Sequence, residues 1–209
     1  MKIFVTCNKN LLGDNNPAAP ALSMSDGAEV PAVFTLPDTA LTRCGRPFFV
    51  PDFAEPCSYS VHVLVRICRL GRSIPERFAY RYYDAMTVGV LFSAGGLWSE
   101  CRAKGLPWEL SVGFDGAACM GELVPTGDGA AEWPAAVRLD EDGEMVVTGA
   151  PLEVADGVDR QIARISQFYT LRQGDLLYAG SIGHPLPARI GTQLTGWMDG
   201  RQVLSFKIK

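Results

Sequence analysis

Alternating apolar and polar residues mark the central part of the chain as a set of strands. Residues 59–67 place Val61, Val63, Val65 and Ile67 at every second position, which is typical of a strand. A second, more uniformly apolar strand is predicted at residues 87–92. Shorter strands are predicted at residues 144–148, 176–179 and 203–206, the first of them after an Asp–Gly turn.

Helical patterns are fewer. Residues 74–83 are helical by composition, with Pro75 suited to a first turn. In residues 156–168, Asp156 is a predicted N-cap, and Val158, Ile162 and Ile165 recur at helical spacing. The predicted class is therefore α+β, mainly β, with a few short helices.

The chain has 209 residues, and the simplest organisation is one domain, residues 1–209. Residues 11–32 are rich in Pro, Gly, Asn and Asp, which favours a surface loop or lid. We therefore divide the chain into an N-terminal strand and lid region, about residues 1–33, and a β-rich core, about residues 34–209.

Charge and cysteine usage exclude several classes of protein. The formal net charge of −4 argues against a nucleic-acid-binding surface, and no stretch of sequence resembles a membrane span. The six cysteines include no C-x-x-C pair, so we expect free thiols and a cytoplasmic protein.

Several short segments follow one another in a characteristic order along the chain. They are residues 34–41 (FTLPDTAL), 47–53 (PFFVPDF), 65–67 (VRI), 71–74 (GRSI), 82–89 (YYDAMTVG), 104–109 (KGLPWE), 114–116 (FDG) and 165–175 (ISQFYTLRQGD). In this order and at this spacing, the segments resemble the fumarylacetoacetate hydrolase (FAH) family. The resemblance implies a mixed β-sandwich roll, a homodimer, and an active site at the mouth of the roll beneath an N-terminal lid. It also implies Mg²⁺ or Mn²⁺ and the hydrolysis, hydration, decarboxylation or isomerisation of small oxo- or diketo-acids.

The positions at which the family carries its metal ligands are different in this chain. An E-x-E pair on one strand face, with an Asp from the next strand, would hold the cation in the family. The matching residues here are Ser60, His62 and Leu91. Mg²⁺ prefers hard oxygen ligands, and one imidazole is too few for zinc, so we predict no bound metal and no cofactor.

Further departures surround these positions. Gly95 and Gly96 replace an Arg-Asp pair of the family motif, and Val112 and Leu36 replace two lysines. The His and Glu of the family lid fall near Gly13 and Asn16. An acidic site without its metal would leave like charges unpaired, which is costly, and a neutral pocket avoids that cost.

Other residues could still carry chemistry. His62, Ser181 and His184 are the candidates for a replacement catalytic group, since His suits general base work near neutral pH. The i, i+2 spacing alone does not make Ser60 and His62 a nucleophile–base pair, and no Asp is placed to orient the imidazole. Asp84, Glu109 and Asp115 stand beside the pocket motifs and could act as acid or base groups, although the resemblance implies that Glu109 and Asp115 fix loops around the site.

The sequence thus supports two hypotheses about the function of this protein. The first is a catalytically impaired FAH-like protein, a pseudoenzyme with a degenerate metal site, which binds a small molecule or serves as a dimeric scaffold or the partner of an active paralogue. The alternative is a metal-independent or weakly active hydrolase, hydratase, decarboxylase or isomerase of small oxo- or diketo-acids. Whether the chain is an enzyme stays open at this point. The aromatic and basic segment at residues 77–83 is a candidate interface.

Overall fold

The computed structural model describes residues 1–6, 22–23, 29–30, 32–43, 45–126, 134–150 and 157–209. Most of the predicted lid, with Gly13 and Asn16, lies outside these residues, as does the predicted N-cap Asp156. The strands are β1 (Ile3–Thr6), β2 (Leu22–Ser23), β3 (Glu29–Val30), β4 (Val33–Leu36), β5 (Leu41–Arg43), β6 (Cys57–Ile67), β7 (Tyr83–Ala94), β8 (Ala118–Met120), β9 (Val124–Pro125), β10 (Val137–Glu141), β11 (Glu144–Gly149), β12 (Leu176–Pro187), β13 (Gln193–Met198) and β14 (Arg201–Lys207).

Helices are short. The α-helices of the described residues are α1 (Gly95–Lys104) and α2 (Val158–Phe168). Single 3-10 segments cover Asp38–Ala40, Asp52–Ala54, Glu76–Tyr82 and Glu109–Ser111. None of the described helices is long and apolar enough to cross a membrane.

Two sheets form the body of the protein. The larger has the order β4-β1-β12-β6-β7-β8-β5, with β9 paired to β7, and it is mixed because β1 and β12, and β5 and β8, run parallel. The smaller sheet has the order β11-β10-β13-β14, and its strands are antiparallel. The strand-rich α+β class predicted from the sequence is confirmed.

The alternation along β6 and β7 gives the large sheet two buried faces. Val63 and Val88 face the smaller sheet and join Leu139 and Leu204 in one core cluster. A Cβ added at Gly196 of β13 would lie 3.3 Å from Cγ1 of Val88, which shows how closely the sheets approach. The opposite face of β6, β7 and β12 forms a second cluster with Ile3, Val5, Phe34, Leu36, Leu64, Leu91, Val112 and Tyr178.

The helices differ from the sequence-based prediction in two places. The helix expected at residues 74–83 is a 3-10 segment, Glu76–Tyr82, and it follows Pro75 rather than beginning at Ile74. Helix α1 was not predicted, because it opens with two glycines and Cys101 is its one buried residue. The division of the chain into lid and core stays a prediction.

Candidate functional site

Strands β6 and β7 bring together the three positions that the resemblance matches to metal ligands. Ser60 pairs with Leu91 across the two strands, and His62 pairs with Gly89. Residues directly opposite each other on antiparallel strands share a face. Ser60, His62 and Leu91 therefore lie together on the face of the larger sheet that points away from the smaller sheet, and the i, i+2 pattern predicted the shared face of Ser60 and His62.

Ser60 and His62 are bonded to each other. The hydroxyl oxygen of Ser60 lies 2.8 Å from Nε2 of His62 and 3.4 Å from the carbonyl oxygen of Leu91. The imidazole is 0% exposed, and its ring stands at 75° to Tyr178 with 5.6 Å between centroids. The i, i+2 spacing places Ser60 and His62 on one face but does not by itself imply that they bond. In the structure, their side chains are oriented so that the two polar groups form a hydrogen bond.

Burial fixes the charge of His62. Desolvation lowers the pKa of His62 from 6.5 to about 3, so the imidazole is neutral at physiological pH. Its Nδ1 atom has no hydrogen-bond partner among the described residues. A buried N–H left without an acceptor is rarer than an unpaired acceptor, which favours the tautomer with hydrogen on Nε2. Nε2–H then donates to Ser60, whose own hydrogen points toward the Leu91 carbonyl.

A cavity of about 130 Å³ opens above Ser60. None of the described residues that line it carries a formal charge. Three serines are among its lining residues, and the hydroxyls of Ser58 and Ser93 bond to each other at 2.8 Å. The lining residues are Phe34, Ser58, Ser60, Leu91, Ser93, Gly95, Trp98, Trp108, Val112 and Pro185.

Aromatic rings form one side of this cavity. Trp108 meets Phe34 edge-to-face, with 4.9 Å between centroids, and meets Trp98 in the same way at 5.0 Å. Trp98 comes from α1, whereas Trp108 precedes the 3-10 segment Glu109–Ser111. The guanidinium of Arg102 lies 5.8 Å from the Trp98 ring centroid. Contacts of this kind hold aromatic side chains in defined orientations.

The other replaced positions fall in or beside the cavity. Leu91 and Val112 line it, whereas Leu36 is buried in the adjoining cluster without lining the cavity. A Cβ at Gly95 would lie 3.0 Å from the carbonyl oxygen of Pro56, and one at Gly96 would lie 2.8 Å from that of Glu55. The glycines therefore let α1 begin directly against this backbone, and larger residues would require the backbone to move.

The remaining candidates divide by exposure. Ser181 is buried and pairs with His62 across β12 and β6, so the two share a face. His184 lies farther along β12 and is exposed. The acidic residues lie apart from the cavity lining, with Asp84 in a bidentate ion pair with Arg66 and with Glu109 and Asp115 exposed.

The described side chains do not fit a divalent cation at this site. No group of three or more His, Cys, Asp or Glu side chains gathers anywhere in the described parts of the chain. At the three positions matched to metal ligands, the side chains offer one hydroxyl and one imidazole that already bond each other, and Leu91 contributes only methyl groups.

The sequence did not predict the aromatic side of the cavity or the contributions of Ser58, Ser93 and Pro185. Ser58 could have been found, because it stands two residues before Ser60 on the same strand face. The turn after α1 brings Trp98 and Trp108 together, and no sequence pattern predicted that these two side chains would meet.

Comparisons with known proteins agree on one family. The sequence profile described as "Fumarylacetoacetate (FAA) hydrolase C-terminal" matches residues 11–204. The mitochondrial oxaloacetate tautomerase FAHD1 of Mus musculus is 27% identical over 181 residues, which cover 86% of this chain and 81% of the mouse protein. FAHD1 of Arabidopsis thaliana is 24% identical over 214 residues, covering 100% of this chain and 94% of that protein.

A solved structure shows the same fold. The fumarylpyruvate hydrolase of Pseudomonas aeruginosa, crystallised with Mn²⁺ and pyruvate, superposes with a TM-score of 0.79 at 22% identity and covers 100% of this chain and 89% of that one. The profile match spans most of the sequence, and the chain belongs to the fumarylacetoacetate hydrolase family.

Proposed function

We propose that this protein has lost the divalent-metal chemistry of its relatives and uses the remodelled pocket to bind a small molecule. The observation that carries the proposal is the hydrogen bond between Ser60, which lines the cavity, and the buried His62, beside a described lining that has no formal charge. Ser60 and His62, at two of the positions that would hold the cation in the family, form a hydrogen bond with each other. Leu91, at the third position, lines the cavity.

The energetics support the same conclusion. A divalent cation must exchange tightly held water for protein ligands, and carboxylates normally compensate that loss. Ser60 and His62 supply no negative charge, and binding a cation would also break their mutual hydrogen bond. The Pseudomonas hydrolase was crystallised with Mn²⁺ and pyruvate. We expect this protein to bind neither Mn²⁺ nor pyruvate with comparable affinity.

Metal titration and turnover test the proposal together. Mn²⁺ would be titrated into the purified protein and followed by electron paramagnetic resonance, with Mg²⁺ and Zn²⁺ by calorimetry. Oxaloacetate tautomerisation and acylpyruvate hydrolysis would be assayed beside the mouse tautomerase as the active control. The triple variant S60E/H62E/L91D restores the acidic pattern and is expected to bind Mn²⁺. Saturable, stoichiometric Mn²⁺ binding by the unmodified protein with turnover would refute the proposal.

A second candidate is a metal-independent enzyme acting on small oxo- or diketo-acids. The 2.8 Å contact between Ser60 and His62 favours it, because a serine beside an imidazole is a potential nucleophile. Against it stand the low pKa of His62 and the lack of a described partner for Nδ1, which make the imidazole a weak base. Metal-free turnover that Ser60→Ala abolishes, and His184→Gln leaves intact, would establish this candidate.

Assembly belongs to the proposal as well. We expect a homodimer, or a heteromer with an active paralogue, in the cytoplasm. The guanidinium carbons of Arg77 and Arg81 lie 4.8 and 5.1 Å from the ring centroid of the exposed Phe78. Aromatic and arginine side chains are enriched at protein interfaces, so this surface suits a protein contact. Light scattering of the native protein and of Phe78→Ser would test this. A monomeric native protein at micromolar concentration would refute the homodimer.

A further inference from the structure

The lining of the cavity indicates which class of ligand it binds, and this inference rests on the proposed function. We infer that the cavity binds a neutral, single-ring aromatic compound that bears one hydroxyl group. The argument uses size, charge and hydrogen-bonding capacity in turn.

Size limits the ligand to about one ring. The cavity measures about 130 Å³. An engineered apolar cavity of about 150 Å³ in another protein holds benzene. The edge-to-face arrangement of Phe34, Trp108 and Trp98 offers ring faces and edges to a flat guest, which aromatic guests use better than aliphatic ones.

Charge excludes ionised ligands of both signs. A carboxylate in this cavity would lose its hydration without meeting a cation among the described lining residues. A quaternary ammonium could use the aromatic rings, but such cages gain from unoccupied ring faces. Here the Arg102 guanidinium already lies over Trp98, and no described lining residue is acidic. A neutral ligand avoids both penalties.

The hydroxyls select a polar substituent on that ring. Ser60 receives Nε2–H from His62 and retains an oxygen lone pair and a hydrogen whose present acceptor, the Leu91 carbonyl, is distant at 3.4 Å. Ser58 and Ser93 share one hydrogen bond between two hydroxyls, which leaves one hydrogen of the pair for another acceptor. A ligand hydroxyl both donates and accepts, so it matches these groups.

Phenol is the probe, and the tryptophan indoles report its binding. Protein labelled with ¹⁵N-tryptophan would be titrated with phenol, and indole N–H signals would be assigned through Trp98→Phe and Trp108→Phe. The Trp98 and Trp108 signals are expected to shift saturably. The Trp197 signal should stay in place, because its Nε1 donates to Asp140 on the smaller sheet. Benzoate, tetramethylammonium and cyclohexanol should each bind at least about tenfold more weakly than phenol.

The hydroxyl preference is tested from both sides. Toluene matches phenol in size, and we expect it to bind the native protein about tenfold more weakly because it offers no hydrogen bond. Ser60→Ala should weaken phenol binding by a similar factor and leave toluene unchanged. Ser99→Ala is the matched control, since Ser99 is exposed on α1 beside Trp98.

The outcomes separate this inference from the proposed function. Benzoate or tetramethylammonium binding as tightly as phenol, or no saturable shift with phenol, overturns the inference even if Mn²⁺ does not bind. Equal affinity for toluene and phenol overturns the hydroxyl preference. Stoichiometric Mn²⁺ binding with oxaloacetate turnover instead refutes the proposed function itself.

Discussion

Acidification should destabilise this protein through His62. The chain contains two histidines, and His184 is exposed. Burial depresses the pKa of His62 from 6.5 to about 3, so the unfolded chain takes up a proton that the folded protein excludes. Stability from this source is complete above pH 6.5 and is lost as the pH falls toward 3.

The size of the loss follows from the two pKa values. Each pH unit below 6.5 removes about 1.4 kcal/mol, so the protein should lose about 3 kcal/mol from His62 between pH 7.5 and pH 4.5. Carboxylates also begin to titrate near the lower pH. A comparison of variants isolates the histidine, because the carboxylates are common to all of them.

Urea denaturation at pH 7.5 and pH 4.5 provides the measurement. In His62→Gln, the free energy of unfolding should fall between the two pH values by about 3 kcal/mol less than in the native protein. His184→Gln, the same substitution at an exposed position, should retain the native pH dependence. Equal losses of stability on acidification in His62→Gln and in the native protein would show that the imidazole is not buried in its neutral form.

Three further substitutions test the packing around the site and the start of the large sheet. Leu91→Asp should have a lower free energy of unfolding than Leu91→Asn, because burial raises the pKa of the new carboxyl. The difference should grow by about 1.4 kcal/mol per pH unit above about pH 4, and equal urea midpoints at every pH would contradict this. Gly89→Ala should cost about 1–3 kcal/mol, since its Cβ would lie 2.5 Å from Cε1 of Tyr178; an unchanged melting temperature and near-ultraviolet circular dichroism would argue against so close an approach. Asp175→Ala should cost about 3 kcal/mol and lower the melting temperature, because the buried carboxylate accepts backbone N–H bonds from Lys2 and Arg172 and pairs with the Lys2 ammonium at 2.7 Å; a neutral effect would refute that role.

The sequence predicted the parts of the fold whose patterns are local. Strand β6 was expected at residues 59–67 and covers Cys57–Ile67, because its β-branched residues alternate cleanly. Helix α2 was expected at residues 156–168 and covers Val158–Phe168, since its apolar residues share one face. Among the described residues, Cys57, Cys68 and Cys101 have free thiols, as predicted, whereas Cys7 and Cys44 lie outside the described part of the chain.

Tertiary contacts account for what the sequence could not provide. Helix α1 has no apolar stripe, and it begins where the backbone of Glu55 and Pro56 approaches Gly95 and Gly96. The placement of Ser60 and His62 on one face followed from strand periodicity, and the placement of Leu91 beside them was implied by the family resemblance. Their hydrogen bonding did not, because spacing fixes a shared face and leaves the side-chain torsions undetermined.

The parallel pairing of β1 with β12 has a consequence for biosynthesis. The backbone N–H of Lys2 is held by Asp175, 173 positions away along the chain. Strand β1 can pair early with β4, but β12 lies between β1 and β6, so the β4–β1 pair cannot join the rest of the larger sheet until Leu176–Pro187 has left the ribosome. Closing so large a loop is slow, so the nascent chain must keep the apolar residues of β1 from wrong partners throughout its synthesis.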